Sequence, residues 1–257
     1  MDKIIKKFAS DEVYYSDYSF VTNSQLGLIN RSPATYQYYR DNPSARPITK
    51  ALNFGRAFHM CMLEHDKYKK EVVVEPDVNK RTKAGKEEYQ KFIESNKGMT
   101  ILSVDENESL KGMRKKLTSS LEADELLSGG LSEQVNIWND LDNHVSCKGK
   151  ADYWNKDKRI LVDIKTTQDS SPGGFRGSAY KYGYDRQAAF YLDGFNADEF
   201  WFIVIEKSPP YNMAIYCCSP EFLDGGREKY KSLLDTYNYY FIQKLFDPYE
   251  HVYTGTL

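Results

Sequence analysis

The amino-acid sequence predicts a mixed α/β fold in which helices cover both faces of a central β-sheet. Three observations support this prediction. Amphipathic helical patterns dominate the first half of the chain, an alternating strand pattern begins near residue 132, and helices and strands interleave after residue 167. This order of elements is typical of a mixed sheet packed between helices.

The first half of the chain is mainly helical. Residues 23–39 begin with polar N-cap candidates and break near Pro33, which predicts two short helices around a turn. Residues 49–68 carry apolar side chains at helical spacing and predict one helix with a wide buried face, on which His59 lies. We expect a short strand in EVVVEP, a basic loop leading into a helix over residues 79–92, and one or two amphipathic helices over residues 105–127.

The second half of the chain supplies the predicted sheet. Residues 132–140 and 144–155 alternate like two strands, and the turn between them is rich in Asp and Asn, which predicts a hairpin. Residues 159–167 form an apolar run that predicts a strand buried on both faces. A Pro- and Gly-containing loop and a helix over residues 175–195 follow. Strands over residues 199–207 and 212–219 then precede a long helix over residues 220–245.

A chain of 257 residues is long enough for one large domain, and no Pro/Gly/Ser-rich linker divides it. We therefore expect residues 1–257 to form a single domain. No run of about 18 apolar residues occurs, which argues against a membrane span. The N-terminal stretch lacks the apolar core of a signal peptide, so we expect a cytoplasmic protein.

The cysteines and the net charge limit the choice of cofactor and ligand. The chain has four cysteines without C-x-x-C spacing, so we expect reduced, mostly buried thiols and no iron–sulfur cluster. A formal net charge of -2 gives no general attraction to a polyanion. Binding of nucleic acid would therefore require a local basic surface.

The stretch LVDIKTTQD, residues 161–169, combines an apolar run with charged residues. Alternate residues of a strand point to the same face, so we expect Asp163 and Lys165 to project together while Val162 and Ile164 face the other side. The alternative interpretation is a surface salt bridge on an edge strand, because Asp and Lys at this spacing also occur by chance.

A second carboxylate favours a catalytic interpretation. Asp152 lies near the end of the preceding predicted strand, with ten residues between it and Asp163. Carboxylates on adjacent antiparallel strands can converge on a hard divalent cation, and the Ile164 carbonyl is a further oxygen ligand. Lys165 beside that ion would orient an attacking water and stabilise charge on a phosphoryl oxygen. This combination indicates metal-assisted phosphodiester hydrolysis.

Four motifs resemble those of the PD-(D/E)xK nucleases of restriction-endonuclease-like fold, in the branch that contains the RecB nuclease domain, lambda exonuclease and exonuclease VIII. They are G-x-x-x-H at residues 55–59, G-x-x-D at 149–152, D-x-K at 163–165 and Q-x-x-x-Y at 187–191, in family order. The stretches NSQLGLINRSPATYQYY, RTKAGKEEYQKF and KYGYDRQAAFYLDGF look like phage-borne RecE-type exonucleases. Ala151 replaces the usual proline before the first aspartate, which should be harmless because the carboxylate performs the chemistry.

The resemblance implies an α/β restriction-endonuclease-like fold and an Mg²⁺ site, for which Mn²⁺ is also suitable, with two ions expected for this chemistry. The implied metal ligands are His59, Asp152, Asp163 and Ile164. The implied catalytic residues are Asp152, Asp163, Lys165, Gln187, Tyr191 and Glu133. The alternatives are a packed core histidine at 59, a solvated helix face for the Gln and Tyr, and a solvated strand end for the Glu.

Cleavage from a DNA end also requires contacts to phosphates. The hydroxyls of Thr22 and Ser24 at a predicted helix start, with Arg31 or Arg40 adding charge, would form an anion site, although a simple helix cap is the alternative. The densest basic stretch spans residues 80–86, and further basic residues lie near the Q-x-x-x-Y helix. The candidate DNA- and phosphate-binding residues are Thr22, Ser24, Arg31, Arg81, Lys83, Lys86, Lys181 and Arg186.

The resemblance implies a metal-dependent 5′-to-3′ exodeoxyribonuclease that acts on linear duplex ends and leaves 3′ single-stranded overhangs for strand annealing. It also implies a homo-oligomeric ring, a trimer or tetramer, and a single-strand annealing protein of the RecT/Beta type as partner. Two alternatives stay open: a structure-specific or single-strand endonuclease, and a catalytically silent protein that binds DNA or a partner. The complete set of motif residues favours an enzyme.

Overall fold

The computed structural model describes residue 8, residues 11–47 and residues 49–252. Its first helices are α1 (Asp11–Ser16), α2 (Asn23–Arg31) and α3 (Pro33–Asp41). The two short helices predicted over residues 23–39 are thereby confirmed. Thr22 caps α2 and Ser32 caps α3, each by accepting a hydrogen bond from a backbone N–H of the first turn.

The helix predicted over residues 49–68 is divided into α4 (Lys50–Leu63) and α5 (His65–Glu71). The backbone leaves helical geometry at Glu64, which has φ -131° and ψ 58°. Glu64 is neither glycine nor proline, so the sequence carries no local signal for this break.

A small parallel sheet joins β1 (Val72–Val74) to β2 (Thr100–Leu102), with α6 (Lys83–Ser95) between them. The strand β2 was not predicted, because Thr100–Leu102 lacks the uninterrupted run of β-branched residues that marks β1. Two helices follow, α7 (Val104–Thr118) and α8 (Leu121–Leu126), in the region where one or two were expected.

The central sheet has five strands in the order β3-β4-β5-β6-β7. They are β3 (Leu131–Asp140), β4 (Val145–Asn155), β5 (Ile160–Thr167), β6 (Glu199–Glu206) and β7 (Met213–Cys217). β5 and β6 are parallel and the other neighbours are antiparallel. The predicted mixed α/β fold with a central sheet is therefore confirmed.

Helices connect and follow the parallel pair. α9 (Pro172–Tyr182) and α10 (Tyr184–Phe195) lie between β5 and β6, where one helix was predicted, and Gly183 separates them in a left-handed conformation with φ 70°. The last helix, α11 (Pro220–Tyr237), ends earlier than predicted and continues as a π-helical turn over Asn238–Ile242. Among the described residues, no helix is both long and apolar enough to span a membrane.

Apolar clusters pack on both faces of the sheet. On one face, Val162 and Ile164 of β5 contact a cluster that includes Phe58 of α4. On the other face, Leu161 belongs to a cluster with Phe175 of α9. β5 is thus buried on both faces, as its apolar run predicts, and it provides a rigid support for the charged residues within it.

The contact between α10 and α11 generates a stability prediction. A Cβ at Gly226 of α11 would collide with the backbone carbonyl of Asp185 in α10, whereas a Cβ at Gly225 meets no atom within 4 Å. We expect Gly226→Ala to lower the free energy of unfolding by about 3 kcal/mol, because backbone atoms cannot rearrange as side chains do. We expect Gly225→Ala to raise it by about 0.5–1 kcal/mol, since alanine is the better helix former. Urea denaturation of both variants checks this, and equal effects would contradict the helix contact.

Candidate active site

Asp163 and Lys165 form an ion pair on β5. Lys165 Nζ lies 2.5 Å from Asp163 Oδ2, and the Asp163 side chain is only 3% exposed. Gln187 Nε2 of α10 donates a hydrogen bond to Asp163 Oδ1 at 2.6 Å. Val162 and Ile164 point into the opposite apolar cluster, so the predicted alternation along this strand is confirmed.

Asp152 lies where β4 and β5 part. Backbone pairing of these strands covers Tyr153–Asn155 and Ile160–Val162. Beyond that point the Asp152 carboxylate accepts the Ile164 N–H through Oδ2 at 2.9 Å. The same oxygen lies 3.2 Å from Nδ1 of His59 on α4. His59 therefore contacts the Asp152 carboxylate, as its interpretation as a site residue requires.

Glu133 completes a group of three potential metal ligands. Ser132 pairs with Tyr153 and Gln134 with Ala151, so Glu133 lies opposite Asp152 on the neighbouring strand. Its backbone has φ 54°, in the left-handed region that residues with side chains rarely adopt. One ligand atom each of His59, Glu133 and Asp152 lies within 4.8 Å of the others.

This grouping differs from the ligand set implied by the sequence. Asp163 was expected to join His59 and Asp152, but its oxygens face Lys165 and Gln187 instead. Glu133 takes the third place in the cluster. The Ile164 N–H contacts Asp152, and the expected role of the Ile164 carbonyl as a ligand stays a prediction. The difference arises because strand register and helix packing, rather than motif spacing, bring the donors together.

The carboxylates shift one another's protonation. Burial and the nearby Asp152 charge raise the pKa of Asp163 to about 6, although Lys165 opposes the shift. Burial and Asp152 also raise the pKa of Glu133. Burial raises the pKa of Asp152, but His59 and Lys165 more than offset this and hold it below its usual value. Three carboxyl groups in such proximity favour a cation that can neutralise them.

The donor set fits a divalent cation. Two carboxylates and an imidazole are hard or borderline ligands of the kind that bind Mg²⁺, Mn²⁺ or Zn²⁺. Burial lowers the pKa of His59, but Asp152 more than reverses this and raises it, so the proton on this imidazole competes with a metal ion. His59, Glu133 and Asp152 are the residues that would hold such an ion.

The Q-x-x-x-Y helix faces this site, as its spacing predicts. Besides Gln187, α10 presents Tyr191, whose pKa is raised by burial and by the charges of nearby acidic groups, including both aspartates. A Cβ at Gly149 of β4 would lie 3.0 Å from the Tyr191 ring. The glycine of the G-x-x-D motif thus leaves room for this ring beside the strand.

Two features of the site were missed by sequence reasoning. The ring of Tyr184, at the start of α10, lies under Lys165, with 4.9 Å from Nζ to its centroid. Lys150 of β4 contacts Glu133 and also Asp11 of α1. Lys150 stands two residues before Asp152, so strand alternation could have placed both on one face. No sequence signal points to Asp11.

The candidate anion site is only partly assembled. Thr22 Oγ1 accepts a hydrogen bond from Gln25 N at 3.3 Å and lies 3.1 Å from Ser24 Oγ, so this hydroxyl caps α2. Arg186 is 8% exposed and donates from Nε to Asn23 Oδ1 at 2.9 Å, beside the same helix end. Arg31 belongs to the last turn of α2, about 12 Å away at 1.5 Å per residue, so it cannot complete this site as expected.

The remaining basic candidates lie on the surface. Lys83 and Lys86 are exposed in the first turns of α6, and Arg81 is exposed just before it. Lys181 is exposed near the end of α9, with its Nζ 5.4 Å from the Tyr182 ring centroid. Their roles in DNA binding stay predictions.

Comparisons with known proteins identify the family of this chain. A family model described as a PDDEXK-like domain of unknown function (DUF3799) matches residues 22–247. No curated protein matches the sequence. The family supports a hydrolytic nuclease, and PDDEXK nucleases use divalent metals, in agreement with the acidic cluster.

A solved structure shares the fold. A crystal structure described as a "putative exonuclease" from Eubacterium rectale superposes with a TM-score of 0.62 at 12% identity, covering 96% of this chain and 95% of that one. At this identity the likeness establishes the fold alone. A phage-related exonuclease from Haemophilus somnus 129PT matches with a TM-score of 0.35 at 14% identity, over 64% of this chain and 85% of that one, which is too distant to support an argument.

The cluster generates a prediction about metal binding. We expect Mn²⁺ to stabilise the wild-type protein by about 2.7 kcal/mol when the free ion is at about 100 times its Kd, because only the folded chain assembles the site. Asp152→Asn should remove this stabilisation, since Asp152 is central to the cluster. Asp157→Asn, a substitution of an exposed carboxylate in the β4–β5 turn, is the matched control. Thermal unfolding with and without Mn²⁺ measures the effect, and an equal shift in the Asp152 variant would rule out the site.

Proposed function

We propose that this chain, which belongs to the family of PDDEXK-like domains, is a divalent-metal-dependent exodeoxyribonuclease. In this proposal it digests one strand of linear duplex DNA from an end, in the 5′-to-3′ direction. The observation that carries the proposal is the arrangement of Asp152, Asp163 and Lys165 beside His59 and Glu133, where two strands part. The exonuclease polarity and the likeness to the RecE type rest on the motif resemblance.

The residues of the site have different roles in hydrolysis. His59, Glu133 and Asp152 would hold a divalent ion, which when bound would supply Lewis acidity and lower the pKa of the attacking water. Lys165 presents its ammonium, held by Asp163, to the phosphoryl oxygen on which negative charge develops. The water oxygen forms the new bond to phosphorus and releases a proton to solvent, the bond from phosphorus to O3′ breaks, and O3′ takes up a proton from solvent. The product then carries the 5′-phosphate.

Lys165 is held in place from two sides. The Asp163 carboxylate lies 2.5 Å from its Nζ, and the Tyr184 ring lies below it. Gln187 in turn fixes the orientation of Asp163. A lysine side chain has several rotatable bonds. These contacts restrict Lys165 to conformations in which its ammonium reaches the phosphate.

Basic residues outside the cluster provide contacts to the DNA backbone in this proposal. Arg186 and the Ser24 hydroxyl, beside the first turn of α2, bind the terminal phosphate. The exposed residues Arg81, Lys83, Lys86 and Lys181 contact phosphates along the duplex, and Arg31 does so from the far end of α2.

The assembly and the partners are proposed on the resemblance. Copies of the chain form a ring around the duplex, and a single-strand annealing protein of the RecT/Beta type receives the 3′ overhang. Mg²⁺ is the proposed physiological ion, with Mn²⁺ as a substitute, because both suit a site dominated by oxygen ligands.

The first test is digestion of linear duplex DNA, labelled at either 5′ or 3′ ends, beside covalently closed circular DNA, with Mg²⁺ and with chelator. We expect metal-dependent release of the 5′ label as mononucleotide and an intact circle. Lys165→Ala should reduce the rate by about 10²–10³-fold, the loss typical when one charge-stabilising donor is removed. Lys156→Ala, an exposed lysine in the β4–β5 turn, should leave it unchanged.

Other outcomes of this digestion assign other functions. Cutting of the circle would replace the exonuclease with an endonuclease, and preference for single strands would change the substrate. Binding of DNA without cleavage under all metal conditions would show a catalytically silent protein. A fully active Lys165→Ala variant would refute the assignment of the site.

Terminal-phosphate binding gives a separate prediction. Arg186→Ala should raise KM for 5′-phosphorylated ends and leave KM for 5′-hydroxyl ends unchanged, because the guanidinium acts only on the terminal phosphate. Arg176→Ala, an exposed arginine of α9, is the control for a general loss of positive charge. Steady-state kinetics on the two substrates measure the difference, and an equal change on both would contradict the anion site.

A further inference from the structure

Lys150 links the metal cluster to the N-terminal helix. Its Nζ lies 2.5 Å from Glu133 Oε2 and 2.6 Å from Asp11 Oδ1, and its side chain is 16% exposed. Lys150 thus bridges two carboxylates that are far apart in the sequence. Asp11 also meets Lys67 of α5 at 3.2 Å, so α1 is held by lysines of two different elements.

A neighbouring lysine fastens the other end of the same helix. Lys148, two residues before Lys150 on β4, is fully buried and donates from Nζ to the carbonyls of Tyr14 at 2.6 Å and Asp17 at 2.7 Å. Residues 148 and 150 share one face of the strand because side chains alternate. α1 is therefore fixed along this face at both of its ends.

Glu133 is the member of the cluster that most needs an external support. Its backbone adopts the left-handed conformation with φ 54°, and its side chain must lie beside the like charge of Asp152. An ion pair on Oε2 leaves the other carboxylate oxygen of Glu133 available for a ligand bond. Side chains that bind a metal ligand in this way orient it toward the metal ion.

We propose that Lys150 is the positioning residue for Glu133, and that Asp11 of α1 sets its orientation, so that the N-terminal helix forms part of the metal site. This inference rests on the metal site of the proposed function and extends it to a segment that contains no motif residue. A lysine already engaged by two carboxylates is a poor phosphate ligand, which separates this role from that of Lys165.

The test is Mn²⁺ binding to the 257-residue chain by isothermal titration calorimetry, without DNA. We expect Lys150→Met to weaken binding by about 10–100-fold, the usual effect of losing a residue that orients a metal ligand. Lys150→Arg should restore most of the affinity, since guanidinium can bridge the same two carboxylates. Asp11→Asn should cause a smaller loss of affinity, because Lys150 keeps its ion pair with Glu133 and loses only the one with Asp11.

Lys231→Met is the matched control. Lys231 also bridges two carboxylates, those of Asp140 and Asp142, each at 2.7 Å, but outside the metal cluster. This variant should bind Mn²⁺ as the wild type does. Thermal unfolding of every variant identifies any loss of affinity that comes from unfolding, and recovery in Lys150→Arg separates positioning from general stability.

The competing electrostatic effect makes the result decisive. Removal of a positive charge near the site by itself favours a cation, so unchanged or tighter Mn²⁺ binding in Lys150→Met would overturn the positioning role. Unchanged binding in Asp11→Asn would overturn the part of the inference that concerns α1. A wild-type protein that binds no Mn²⁺ would overturn the metal site itself, while a wild type that binds Mn²⁺ but cuts no DNA would overturn only the proposed nuclease.

Discussion

The hydrogen bond from the Ile164 N–H to Asp152 is the interaction on which the site depends. Two strands that part inside a protein leave backbone groups without partners, and a buried N–H without an acceptor is costly. Asp152 replaces the missing backbone acceptor with its own carboxylate. The Ile164 N–H therefore keeps an acceptor where the strands separate. One Asp152 oxygen is fixed between β5 and His59, and the other ligands gather around a carboxylate whose orientation is set by the backbone.

The gap between the strands also creates an electrostatic problem. Glu133, Asp152 and Asp163 approach one another where burial weakens solvation, and the pKa of Asp163 rises to about 6 as a result. Lysines limit the repulsion from opposite sides, Lys165 at Asp163 and Lys150 at Glu133. Repulsion between these acidic groups lowers the free energy of unfolding, and binding of a divalent cation would restore part of it. The same proximity of acidic groups that lowers stability prepares the site to bind an ion.

The site draws on segments from most of the chain. α1 supplies Asp11, α4 supplies His59, three sheet strands supply acids and lysines, and α10 supplies Gln187. The buried sheet holds the central residues rigidly, since β5 packs against apolar clusters on both faces. A cluster built from so many elements exists only in the folded chain, so unfolding of the chain also removes the site.

The sequence by itself determined the strands of the central sheet, most helices, and the shared face of Asp163 and Lys165, because periodicity and strand alternation are local properties of the chain. The motif residues were likewise recognisable from their spacing. Only the tertiary structure decided that Glu133 rather than Asp163 joins His59, that Arg31 lies at the wrong end of α2, and that Asp11 reaches the site. These outcomes depend on register, helix breaks and contacts between residues more than a hundred positions apart, for which no short stretch of sequence carries a signal.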